Sequence, residues 1–384
     1  MLSGDGEATI RKIVRCLSSE IGVRLGGSVE EAKAAEFAAN EFNGYGLEVE
    51  LQQFRFLGWQ YLQDPVVKVL SPTEEVLEAS PMAYTGSTTK GQVEGSLKRV
   101  GTAYPVPGHR SFEFPKYAIA GEHGVEEAYL ICRLGGKVIP FPNVLPVFTA
   151  ISVMLGEEAH RRFEEWMTAG REVRVSVSVQ GKYLPDSVSQ NVIATLRGET
   201  EETIIVGAHH DSAYRSPGAN DDASGVAALC QVARRMRDAR LKRTVRFASF
   251  GSEEFKFMGS GFYVNDQKER GGLSRIKAFI GLDTVGAGSP LGIRVNSEAL
   301  KAQVMKVLQN SRLAQQVNVE FGAPLPCSDD WPFHTEGIPS AMFTFLDFPD
   351  YHQPLDTEDV VKPELVLQTA DSVYGLLRML DEAL

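Results

Sequence analysis

The sequence predicts an α/β fold, a mainly parallel twisted sheet with helices on both faces, carrying an inserted smaller β-rich domain. Three observations predict it. From Ser189 onward short apolar strands alternate with helical stretches of roughly 10–15 residues, the pattern of parallel βαβ units. From about Tyr61 to Lys182 the texture changes to short β-like runs rich in Pro and Gly. The first stretch reads as helix, helix, strand. The expected division is therefore residues 1–60 with 183–384 as one discontinuous domain, and 61–182 as the insertion.

Apolar residues at helical spacing define helices over about 8–21 and 30–42, the second ended by Asn43-Gly44-Tyr45-Gly46 before the alternating strand 47–54. Inside the insertion, 66–70, 128–132 and 173–179 are strand-like, whereas 117–127 and 157–168 carry helical spacing. The remaining chain gives strands at 191–196, 203–207, 244–250, 276–282 and 340–346. Helices fall at 224–237, 259–267, 300–311 and 363–383.

Composition narrows the function classes. With 50 acidic against 39 basic residues the formal charge is −11, which disfavours a nucleic-acid partner. No apolar run approaches the ~18 residues of a membrane span, and the start has neither a basic nor an apolar leader segment. Four cysteines (Cys16, Cys132, Cys230, Cys327) lie far apart without a CxxC pair, so reduced thiols in a cytoplasmic protein are expected. Nothing in the sequence marks an oligomeric state.

Polar, metal-capable residues stand where the predicted strands end, the edge at which an open α/β sheet gathers its ligands. Thr203–Ala208 runs into His209-His210-Asp211, where a carboxylate two residues on can orient an imidazole. Alone, this pattern is weak. Pro217-Gly218-Ala219-Asn220-Asp221-Asp222-Ala223-Ser224-Gly225 adds two carboxylates before a helix, where Asp222 or Ser224 can also serve as the cap. The strand 244–250 ends in Gly251-Ser252-Glu253-Glu254, and adjacent carboxylates at a buried strand end repel unless a cation neutralises them. Asp283 closes 276–282, and His352 follows 340–346 in Tyr351-His352-Gln353-Pro354-Leu355-Asp356-Thr357. Two imidazoles with several carboxylates make a mixed nitrogen and oxygen set suited to Zn²⁺, with Co²⁺ or Mn²⁺ as possible substitutes. Two divalent ions against Asp221, Glu254 and Asp283 leave one net positive charge, enough to hold a hydroxide.

The ordered set GAHxD, PGANDDASG, SEE, LD, SDD-WPF and YHxPxDT resembles the dinuclear zinc aminopeptidase and glutamate-carboxypeptidase group, metallopeptidase family twenty-eight. The resemblance covers about 1–55 and 187–384. It implies two zinc ions per chain, His209 and Asp283 on one, Glu254 and His352 on the other, and Asp221 between them. It implies Asp211 as the residue orienting His209 and Glu253 as general base, in hydrolysis of N-terminal residues from peptides. It also implies that the inserted domain is protease-associated-like or a lid, on a loose likeness of 116–131. Relatives often read Ser-Asp-His where this chain has Ser328-Asp329-Asp330, which puts a site-edge histidine in doubt. His210 and His334 read as packing and helix-surface residues. Trp331, Phe333, Phe345, Phe348 and Tyr351 are candidate substrate-pocket aromatics. Three alternatives stand beside the aminopeptidase: a carboxypeptidase with Arg215 receiving the substrate carboxylate, a one-zinc glutaminyl-cyclase-like acyltransferase, and a receptor-like module without catalysis.

Overall fold

The computed structural model describes residues 2–88, 91–104, 112–121, 126–135, 137–142 and 150–383. The chain forms two compact units, Met1–Phe56 with Ser187–Leu384, and Leu57–Asp186.

The first unit opens with α1 (Leu2–Arg15), which continues into a π-helical turn at Cys16–Ile21, and α2 (Val29–Gly44). Ser28 caps α2 by accepting the Glu31 amide at 3.0 Å, and the Glu31 carboxylate reaches back to the Gly27 amide at 2.6 Å. The chain passes to the second unit within β1 (Glu48–Ser71). There follow β2 (Glu75–Leu77), β3 (Ala79–Ala83), β4 (Val93–Ala103), β5 (Phe114–Ala120), β6 (Glu126–Cys132), β7 (Phe141–Pro142) and β8 (Ile151–Leu155). Helix α3 (Glu157–Thr168) and β9 (Arg174–Leu196) complete the circuit.

Antiparallel β4–β5–β6 forms the middle of the second unit, with β8 parallel to β6. The helical reading of 117–127 is overturned, because its described residues lie in β5 and β6. Tyr117, Ala118 and Ile119 are buried on both faces of the sheet, so no period of two survives in the sequence to mark a strand. The turn at 122–125, His109 and His123 lie outside the described residues. His160 is held by the Tyr117 hydroxyl at 2.7 Å.

Back in the first unit come β10 (Thr200–His209), α4 (Gly225–Met236), β11 (Arg243–Phe250), α5 (Met258–Glu269), β12 (Ile276–Leu282) and β13 (Leu291–Val295). They are followed by α6 (Glu298–Gln309), α7 (Arg312–Gln316), β14 (Val319–Gly322), α8 (Asp330–Thr335), β15 (Ser340–Phe345) and α9 (Pro363–Ala383). The strand order in this unit is β14-β13-β15-β12-β10-β11-β9. β10 lies parallel to β11 and β12, β12 to β15 and β13 to β14, while β9 and β13 run antiparallel to β11 and β15.

Alternation along the central strands feeds two cores. Ile204, Val206 and Ala208 of β10 face the side covered by α1, α2, α4 and α9, whereas Ile205 faces the side of α5 and α8. On β12 the same division separates Ala278, Ile280 and Leu282 from Phe279. The Ile, Val, Leu and Phe side chains among them contribute about 1.5–3 kcal/mol each on burial. Because β10, β11, β12 and β15 point the same way, their carboxyl ends share one edge, and the loops leaving that edge carry the candidate site.

Candidate metal centre

His209 is the last residue of β10 and is 1% exposed. Asp211 lies just beyond it, with Oδ1 3.3 Å from His209 Nδ1. The same carboxylate accepts the Glu253 amide at 2.9 Å and the Glu254 amide at 3.1 Å. One side chain therefore orients the imidazole and holds the turn that follows β11. That turn is a single 3₁₀ turn, Glu253–Phe255, entered through Ser252 at φ 54°. The chain bends there, so the two glutamates differ in direction by the turn and not by strand alternation.

Asp221 stands between β10 and α4, joined to Asp222 by a cis peptide bond. The loop enters through Gly218 at φ 62°, where a Cβ would stand 2.4 Å from the Asp221 carbonyl. Only glycine fits this approach. Asp283 follows β12 and accepts the Ser328 hydroxyl at 2.8 Å. His352 follows β15 at φ 55°, its ring stacked on Tyr351 with centroids 3.8 Å apart. Positive φ at Ser252, Thr284 and His352 places strained backbone two residues before Glu254, directly after Asp283 and at His352 itself.

These donors converge. His209 Nε2 lies 3.1 Å from Asp221 Oδ1 and 4.0 Å from Asp283 Oδ1. His352 Nε2 lies 3.3 Å from Asp221 Oδ2 and 3.0 Å from Glu254 Oε2. Each oxygen of Asp221 thus faces a different imidazole. Two groups of donor atoms close to within 4.8 Å of one another, His209 with Asp222 and Asp283, and Asp221 with Glu254 and His352.

Asp222 is already engaged elsewhere. Its carboxylate accepts the amides of His209 at 3.2 Å, Gly225 at 2.8 Å and Thr284 at 3.0 Å, which caps α4 and ties it to the ends of β10 and β12. Asp221 has no comparable set of amides on its side chain and faces the imidazoles instead.

The residues present fit a metal. Two imidazole nitrogens and three carboxylates form a mixed donor set, and Glu254 Oε1 is buried without a hydrogen-bond partner. Burial opposes a charge on His352, yet Glu254 and Asp221 push its pKa up to about 10. The cluster draws positive charge strongly. Burial also opposes ionisation of Asp221, and its contacts with His209 and His352 outweigh that and hold it below the usual carboxylate range. Glu253, 8% exposed, is pushed well above that range by burial, with His209 acting in the opposite sense.

The pocket aromatics divide. Trp331 and Tyr351 are partly exposed. Phe333, expected in the pocket, is 0% exposed and stacks on Phe279 with centroids 4.0 Å apart, and Phe345 is likewise buried in the core. Aromatic rings at strand and helix ends fill the space between sheet and helix before any reach a substrate. Phe333→Ala is expected to cost about 3–5 kcal/mol of stability in urea unfolding while leaving substrate preference unchanged. A changed preference at intact stability would return Phe333 to the pocket. Arg215 is exposed at φ 65°, with its guanidinium over the Tyr214 ring. His210 is buried against Ser249 at 3.0 Å, and His334 contacts Asn296 at 3.2 Å.

Three buried residues escaped the reading of the sequence as site residues. Asp356 accepts the amides of Asn220 at 2.7 Å and Asp221 at 3.0 Å, and burial pushes its pKa up to about 7. Its place in the YHQPLDT segment was the available signal. Glu31 accepts the hydroxyls of Ser189 at 2.7 Å and Ser252 at 2.9 Å, bracing the entry to the glutamate turn. The third is Arg24.

The sequence pattern of peptidase family M28 matches residues 191–377, the span holding all five converging donors. That part of the chain is similar to peptidase family M28. Aminopeptidase YwaD of Bacillus subtilis is 27% identical over 390 residues, covering 93% of this chain and 81% of that protein. Two solved structures share the fold. An aminopeptidase from Aneurinibacillus sp. strain AM-1 superposes with a TM-score of 0.75 at 24% identity, covering 98% of this chain and 93% of that one. BSAP, a zinc aminopeptidase from Bacillus subtilis, gives 0.73 at 22% identity, covering 98% and 95%.

Proposed function

We propose that this chain is a two-metal aminopeptidase of peptidase family M28 that removes N-terminal residues from peptides. The observation that carries the reading is Asp221, whose two carboxylate oxygens face His209 and His352 separately. His209 and Asp283 would hold one Zn²⁺, Glu254 and His352 the other, and Asp221 would lie between them. Co²⁺ or Mn²⁺ are the proposed substitutes. Bound there, the ions would acidify a shared water and polarise the scissile carbonyl.

The chain's own residues do the rest. Glu253 takes the proton of the attacking water and returns it to the leaving amine, which a carboxylate outside both donor groups can do without giving up a ligand. Asp211 keeps His209 in one orientation and Glu253 at a fixed distance from it. Trp331 and Tyr351 border the substrate. The name of the Bacillus subtilis relative supports the aminopeptidase reading. The proposed location is the cytoplasm, supported by four free cysteines. Among the described residues no helix is long and apolar enough to cross a membrane.

Unblocked aminoacyl and short peptide substrates with apolar first residues are expected to be cleaved, and their N-acetylated forms are not. Kinetics on a paired panel, with an N-terminal glutaminyl peptide included, decides it. Release of C-terminal residues from blocked peptides would make the protein a carboxypeptidase, and cyclisation of the glutaminyl peptide without hydrolysis would make it an acyltransferase.

A further inference from the structure

A buried cation grips two of the loops that carry metal donors, the one after His209 and the one before Asp221. Arg24 is 0% exposed and lies between the π-helical turn and α2. Its guanidinium donates to the carbonyls of Leu17 at 2.8 Å, Gly22 at 2.9 Å, His210 at 2.8 Å, Pro217 at 2.6 Å and Gly218 at 2.9 Å. The His210 carbonyl lies one residue past His209, and those of Pro217 and Gly218 lie shortly before Asp221. The main chain of Arg24 adds two bonds, donating to Ser212 Oγ at 3.0 Å and accepting the Ser212 amide at 3.1 Å.

The opposite charge stands at the other end of the second loop. Asp356 accepts the amides of Asn220 and Asp221, so a cation holds the carbonyls where this loop begins and an anion holds the amides where it ends. With its peptide groups fixed at both ends, the loop can offer Asp221 in one position only. A guanidinium suits the task because its five donors spread over a rigid plane, whereas an ammonium gathers three donors at one point.

We propose that Arg24 is a positioning residue of the metal centre: by holding the loops after His209 and before Asp221 in one register, it sets the affinity of the site for metal. The inference rests on the two-metal reading above and goes beyond it, since Arg24 touches none of the donor side chains. Its bland rival is a purely structural arginine, which would stabilise the metal-free fold and leave metal affinity alone.

Metal-free wild type, Arg24→Met and Arg24→Lys are titrated with Co²⁺, following the visible absorption of the bound ion, with circular dichroism and thermal melts to monitor folding. Wild type is expected to take two equivalents, and each folded variant to bind at least ~tenfold more weakly, the scale seen when partners that orient metal ligands are removed. Lysine is expected not to rescue the affinity. Arg24→Lys keeps the charge and the stem, so it decides the matter if Arg24→Met does not fold. A folded Arg24→Lys that binds Co²⁺ within about twofold of wild type overturns the proposal, even if its Tm is lower. Failure of wild type itself to bind would overturn the two-metal reading, which separates the two outcomes.

Discussion

Glu253→Gln is expected to keep two metal ions per chain and a nearly unchanged KM, while kcat falls at least roughly a hundredfold. The expectation follows from where the two adjacent glutamates stand. Glu254 Oε2 lies 3.0 Å from His352 Nε2, within the donor group, whereas Glu253 belongs to neither group. Both amides hang on Asp211, so the turn keeps its shape when a side chain is changed to its isosteric amide. Glutamine preserves size and polarity but cannot take a proton, and loss of a general base typically costs about 10²–10⁴ in rate. Metal analysis and steady-state kinetics check it. If Glu253→Gln loses an ion, or if Glu254→Gln keeps both ions and full activity, the two roles are exchanged or wrong.

Asp221→Ala is expected to do more damage, because one side chain faces both imidazoles. Removing it leaves His209 without its 3.1 Å partner and His352 without its 3.3 Å partner. At least one ion should be lost from the purified protein, and activity should fall below that of Glu253→Gln. Stability supplies a second readout. An ion present at about one hundred times its Kd stabilises the folded state by about 2.7 kcal/mol, and that increment should shrink in the variant. The rise in Tm on adding Zn²⁺ to metal-free protein measures it. An Asp221→Ala protein that still takes two ions and gains the wild-type increment would remove Asp221 from the centre.

Much of the catalytic unit was legible because its strands are buried and end abruptly. An apolar run such as Thr203–Ala208 that stops at His209-His210-Asp211 shows both where the sheet edge lies and which side chains gather there. The donors sit on loops far apart in sequence, yet parallel strands bring those loops together without further instruction. Strand β5 was hidden by the same burial that made it stable, since residues buried on both faces leave no alternation to read. Short β13 and β14, near one edge of the sheet, carry too few residues to show a period. Phe333 looked available because an aromatic near a site is chemically plausible in the pocket and in the core alike, and only packing separates the two. Arg24 was illegible for a different reason. Its partners are backbone carbonyls as far as 194 residues away, and a carbonyl leaves no signature in a sequence.

Asp221 is proposed to lie between two metal ions, and anomalous scattering at the zinc edge from crystals grown with Zn²⁺ locates those ions. Two peaks about 3.5–4 Å apart are expected, one beside His209 and Asp283, the other beside Glu254 and His352, with an Asp221 oxygen on each. A single peak at full occupancy, or a pair of peaks that leaves Asp221 uncoordinated, would mean that Asp221 does not join two ions.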